Sequence, residues 1–166
     1  KDTMASLNDL SVYLIELERD RPERLMQAFE LRSPWAIDSQ VHQMFRRVRS
    51  EMLIICDDEE FLKRYGSDLE KLDKRISLYV IVRTPELAEH LRIRCYLGGK
   101  DIEYGMFSPP IPDGRTLLRK IAIYADRQDS LSVVDENGSL EGVFLSNDFF
   151  SGYLYHCILN EIQPIR

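Results

Sequence analysis

Between Ile121 and Leu145 the apolar positions fall into three short runs. Ile121, Ile123 and Ala125 alternate with Ala122 and Tyr124, then come Leu131, Val133 and Val134, then Val143, Phe144 and Leu145. This is the signature of three successive strands. Asp135-Glu136-Asn137-Gly138 separates the second from the third, and an Asn-Gly pair tolerates the positive φ angles of a tight hairpin turn. Ser146-Asn147-Asp148 then reads as a helix cap, followed by Phe149, Phe150, Tyr153, Leu154, Cys157, Ile158 and Ile162 at helical spacing.

The preceding residues switch between the two periods. Met26 to Leu31 reads as a strand, and Ser33-Pro34 opens a helix whose face carries Ile37, Val41, Phe45 and Val48, with Arg46, Arg47 and Arg49 off that stripe as a solvated face or else a partner or phosphate contact. Met52 to Cys56 is a continuous apolar run, hence a buried strand, and Asp57-Asp58-Glu59-Glu60 starts a helix with acids where its dipole favours them. Gly66 is expected to end that helix, and Ser67-Asp68-Leu69-Glu70 to cap a further short one to about Lys74. Leu78 to Val82 is the next strand, Thr84-Pro85 begins a helix to about Leu91, Ile93 to Leu97 is another strand, and Glu103 to Phe107 is a candidate for one more. A repeating β-α order argues a largely parallel sheet with helices packed on it. The proline-rich stretch from Ser108 to Gly114 suits a strap across the surface.

At the start of the chain, Leu7, Leu10, Leu14 and Leu17 recur at alternating spacings of three and four. That seam belongs either to a helix packed on its own domain or to the end of a dimerising coiled coil. Arg21-Pro22 closes it. Residues 1–22 are therefore expected to be a linker or dimerisation helix, and 23–166 a single domain, which suits a chain of 166 residues. Lys1 is not an initiation residue, which points to a piece of a longer protein.

A net charge of −6 argues against this part of the protein being the main nucleic-acid contact. Cys56, Cys95 and Cys157 each lie in an apolar run, as reduced core thiols of a cytoplasmic protein do. No apolar stretch reaches the roughly 18 residues of a membrane span. The three histidines, His42, His90 and His156, fall on separate segments without ligand spacing, and there is no Cys-x-x-Cys, phosphate-binding glycine loop or Gly-x-Ser-x-Gly. Asp57 and Asp58 read as helix-capping residues before they read as a catalytic or metal-binding pair. No metal or cofactor is expected.

The order strand, polar turn, strand, strand and "SN" before a helix resembles half of the phospholipase D fold. In that superfamily the first of these strands carries a His-x-Lys pair ahead of an Asp, and the His is the nucleophile. With Asp126 matched to that Asp, the His position falls on Arg119 and the Lys position on Ile121, neither of which supplies the chemistry. The layout from "AFELRSPWAI" through "EMLIICDD", "IAIYADRQDSLSVV" and "GVFLSND" is similar to the C-terminal effector domain of TrmB-type archaeal transcriptional regulators. The resemblance implies a single α/β phospholipase-D-like domain without phosphodiesterase activity, sensing an effector and dimerising, and reaching DNA only through a winged-helix domain upstream. Sugar-binding members use an additional subdomain for which this chain has no length, so no sugar contact is carried over.

Ligands of open sheets gather at the carboxyl ends of strands. The groups expected there are Arg32, Ser33 and Trp35 after the first strand, Asp57 after the second, Arg83 and Thr84 after the third, and Asn147 after the last. Trp35 is either a core anchor or a stacking surface, and Arg83 needs either a carboxylate such as Asp57 or an anionic ligand. The expectation is a homodimer that binds a small anionic or polyhydroxy metabolite between Trp35, Asp57 and Arg83. The other reading is a protein–protein interaction domain without a small-molecule ligand.

Overall fold

A computed structural model describes residues 27–99 and 117–165, the side chains of 117 and 118 excepted. The seam at Leu7, Leu10, Leu14 and Leu17, the candidate strand at Glu103 to Phe107 and the strap at Ser108 to Gly114 lie outside the described residues.

The elements in order are β1 (Gln27–Leu31), α1 (Pro34–Arg47), β2 (Glu51–Ile55), α2 (Glu59–Glu70), β3 (Ser77–Val82), a 3₁₀ turn (Pro85–Ala88), β4 (Cys95–Gly98), β5 (Leu117–Ala125), β6 (Asp129–Glu136), β7 (Ser139–Ser146), α3 (Asp148–Leu159) and β8 (Ile162–Pro164). The strands form one sheet in the order β1-β7-β6-β5-β2-β3-β4-β8. The α/β class and the flanking helices follow the sequence, and the sheet is mixed. Parallel pairing is confined to β2-β3 and β3-β4 and the other pairs are antiparallel, so the sheet is mostly antiparallel and not the largely parallel one expected, because the β5–β7 meander and the two edge strands add only antiparallel partners. The expected β-α order is real, but β1 does not join its neighbours in sequence. It pairs with β7 at the far edge, and β8 closes the opposite edge against β4.

Two cores lie on the two faces of the sheet. On one, Ile37, Val41 and Met44 of α1 and Phe61, Leu62, Tyr65 and Leu69 of α2 cover Met52, Ile54, Val80, Ile121, Ile123, Leu131 and Val133. On the other, Tyr155 and Ile158 of α3 cover Leu53, Ile55, Ile81, Ala122 and Tyr124. The uninterrupted run in β2 follows from its central place, where both faces are buried and alternation is lost.

Three boundaries differ from the sequence reading. Helix α2 runs through Gly66 to Glu70 as one element. Gly66 faces inward inside the helix, where an added Cβ would stand 2.9 Å from Leu91 Cδ2, and it does not end the helix. Only a 3₁₀ turn forms after Thr84. Helix α3 stops at Leu159, and Ile162 belongs to β8.

The hairpin turns obey local chemistry. Asn137 and Gly138 have φ of 54° and 87°, and the Asp135 carboxylate accepts the Gly138 amide at 2.7 Å. Between β5 and β6, Asp126 and Arg127 are also left-handed, at 54° and 55°. The Asp126 carboxylate holds that turn in place by accepting the amides of Arg49, Ser50 and Glu51 and the Ser50 hydroxyl. Arg127 donates to Glu51 at 2.6 Å and lies over the Tyr155 ring.

Candidate functional site

Four antiparallel steps separate β1 from β2, so β1, β2, β3 and β4 all run the same way and end at one edge of the sheet. That upper edge brings together Asp57 after β2 with Arg83 and Thr84 after β3. Residues 32, 33 and 35 follow β1 at the same edge, but β7, β6 and β5 intervene, a distance of about 19 Å at the usual strand spacing of ~4.8 Å. The expected cluster of Trp35 with Asp57 and Arg83 therefore does not form. Trp35 is 79% exposed, which removes the core-anchor reading. Ser33 caps α1 by accepting the Ala36 amide, and Arg32 pairs with Glu30. Asn147 lies at the opposite edge because β7 runs downward: its amide donates to the Gln128 carbonyl in the β5–β6 turn, and its side chain caps α3.

At the ends of β2 and β3 two cations each face a carboxylate. Arg83 Nε lies 3.7 Å from Asp57 Oδ2. Burial pushes the Asp57 carboxyl above its ordinary value, and the Arg83 charge opposes that rise. Beside it, Asp58 performs two tasks. Its Oδ1 accepts the Phe61 amide as the cap of α2, as the sequence suggested, and its Oδ2 accepts Lys120 Nζ at 2.7 Å. Cys56 closes the floor. Its thiol donates to the carbonyls of Lys120 and Asp58, and burial pushes it up to about 12, so it is no nucleophile at neutral pH.

Lys120 was not singled out from sequence. It enters the site because the β5–β6 register shifts between Arg119 and Ile121: Arg119 is opposite Val134 and Ile121 is opposite Val133, leaving Lys120 as the extra residue of a bulge. The bulge also breaks the alternation of β5. Ile121 packs in the core under α1 and α2. Arg119 instead donates through Nη1 to Ser132, whose partner Ala122 lies in the core under α3. Two residues that would share a face of a regular strand thus point to opposite faces.

No family model matches the chain, and no curated protein matches it in sequence. Among solved structures, Nuc, a phospholipase D family member from Salmonella typhimurium, aligns with a TM-score of 0.55 at 10% identity, over 86% of this chain and 99% of its own. The fold is phospholipase-D-like. The phosphatidylserine synthase of Haemophilus influenzae Rd KW20 aligns at 0.53 and 11% identity, over 86% of this chain and 40% of its own. TrmBL2, an archaeal chromatin protein with a novel mode of DNA binding, aligns at 0.52 and 12% identity, over 95% of this chain and 61% of its own. This chain thus spans less than two thirds of the synthase and of TrmBL2. The phospholipase-D-like sheet is shared by two enzyme lineages and a chromatin protein, so chemistry has to be judged from side chains. Among the described residues no group of His, Cys, Asp and Glu is placed to hold a metal, and no helix is long and apolar enough to cross a membrane.

Proposed function

We propose that this chain is a phospholipase-D-like domain that keeps the scaffold without phosphodiesterase chemistry and serves as the ligand-sensing and dimerisation part of a TrmB-like transcriptional regulator. The observation that carries this reading is the state of β5. Arg119 and Ile121 stand where the resemblance puts the nucleophilic His and its Lys, and the bulge turns them to opposite faces. Lys120, the neighbouring lysine, is engaged by Asp58. TrmBL2, an archaeal chromatin protein, carries the same fold, and that likeness motivates the regulator reading. In this reading a small anionic or polyhydroxy metabolite binds at the ends of β2 and β3, near Asp57, Arg83 and Thr84, and contact with DNA is made elsewhere in the regulator.

The second reading, an interaction domain without a small-molecule ligand, draws support from two features. Asp57 already answers Arg83, and Phe149, Phe150 and Tyr153 of α3 are exposed.

The dimer half of the proposal rests on the sequence seam and is tested by sedimentation. Wild type should be a dimer, and Leu10→Glu with Leu14→Glu a folded monomer. A monomeric wild type, or a dimer indifferent to both changes, contradicts it.

A further inference from the structure

Among the described residues, one cation near the upper edge has no carboxylate paired with it. Lys120 is answered by Asp58 and Arg83 by Asp57, which leaves Arg119. Among the described residues no carboxylate lies within ion-pair distance of it, and its one hydrogen bond is from Nη1 to Ser132 Oγ at 2.9 Å. Its Nε is buried and has no partner. A guanidinium carries five N–H donors and cannot lose its charge. Held half-buried against the α3 face of the sheet with a donor unmet, it is costly unless a counter-charge arrives.

The bulge at Lys120 fixes the direction of Arg119, and the strand pairing places Val134 opposite it with Ser132 two residues along, on the same face as Ala122 and Tyr124. Ser132 receives one donor and keeps its own hydroxyl proton to offer. A planar fork and an adjacent hydroxyl suit the oxygens of a phosphate or carboxylate. We propose that Arg119 and Ser132 form a binding site for a small oxyanion, a phosphate or carboxylate group, on the α3 side of the sheet where β5 leaves its bulge. This site is distinct from the Asp57–Arg83 pair and does not depend on the regulator reading, since it follows from charge and hydrogen bonding alone.

Thermal unfolding of the full chain tests it, run in sodium chloride, sodium phosphate and sodium acetate at matched ionic strength. Wild type is expected to melt about 2–4 °C higher in phosphate or in acetate than in chloride. A shift in phosphate alone assigns a phosphate group, and one in acetate alone a carboxylate. Arg119→Gln should lose the shift, and Ser132→Ala should lose part of it. In chloride, Arg119→Gln should melt no lower than wild type, because it removes an uncompensated charge. An absent shift in wild type, or an equal one in Arg119→Gln, overturns the proposal. So does a clear loss of stability in Arg119→Gln in chloride, which would mean that the guanidinium is already compensated without an added anion.

Discussion

Lys120 Nζ stands 2.7 Å from Asp58 Oδ2, across 62 positions of sequence, while the other oxygen of the same carboxylate caps α2. One side chain therefore sets where α2 begins and ties that start to the bulge in β5. Lys120 is held further into its charged form by that hydrogen bond. Asp58→Ala should cost about 1–2 kcal/mol in urea unfolding, chiefly through the lost cap. Lys120→Met keeps the cap and should cost less, up to about 1 kcal/mol. Equal losses would show that the ion pair rather than the cap carries the effect.

Asp126 provides the pH dependence. Burial alone would raise its carboxyl, but the amide and hydroxyl of Ser50 and the amides of Glu51 and Arg49 hold it below the ordinary range. A depressed folded pKa means that the stabilisation is present above the unfolded value of about 3.9 and is lost as pH falls through the folded one. Asp126→Asn tolerates the left-handed backbone, removes the charge and replaces one of the two accepting oxygens with an NH2 donor. It should lose about 1–2 kcal/mol at pH 7 and show a shallower acid limb below about pH 4. An unchanged acid limb would assign that transition to other carboxylates.

The three cysteines divide by burial. Cys56 and Cys95 are buried and pushed up to about 12 and about 11, whereas Cys157 is exposed on α3, against the expectation of three core thiols. A thiol reagent at pH 8 should label one cysteine quickly in the native protein and all three after unfolding. Loss of the fast phase in Cys157→Ser assigns it; its persistence contradicts the placement.

Trp35 reports on the separation of β1 from β2. At 79% exposure it should emit like a solvated indole and be freely quenched by acrylamide. Arg83→Ala should leave that signal unchanged. A blue-shifted, protected emission, or one that responds to Arg83, would restore the cluster expected from sequence.

Local signals were legible because local chemistry decides them. Ser33 and Asp58 cap their helices, Asn137-Gly138 turns its hairpin, and β2 is apolar on both faces. Pairing between distant strands was not. Nothing in Gln27–Leu31 says that it will lie beside β7, so Trp35 looked close to Asp57 when three strands separate them. Asn147 looked like a strand-end ligand, but the direction of its strand depends on the same pairing. Gly66 reads as a helix stop until α2 is seen to run through it. The bulge that turns Arg119 away from Ile121 depends on the β5–β6 register, which no single segment encodes.

A phosphodiesterase assay of the purified chain on a generic chromogenic phosphodiester decides whether the phospholipase-D-like scaffold has lost its chemistry. Turnover should be no different from buffer for wild type, Arg119→Gln and Asp126→Asn alike. Turnover above buffer that disappears in either variant would contradict that loss.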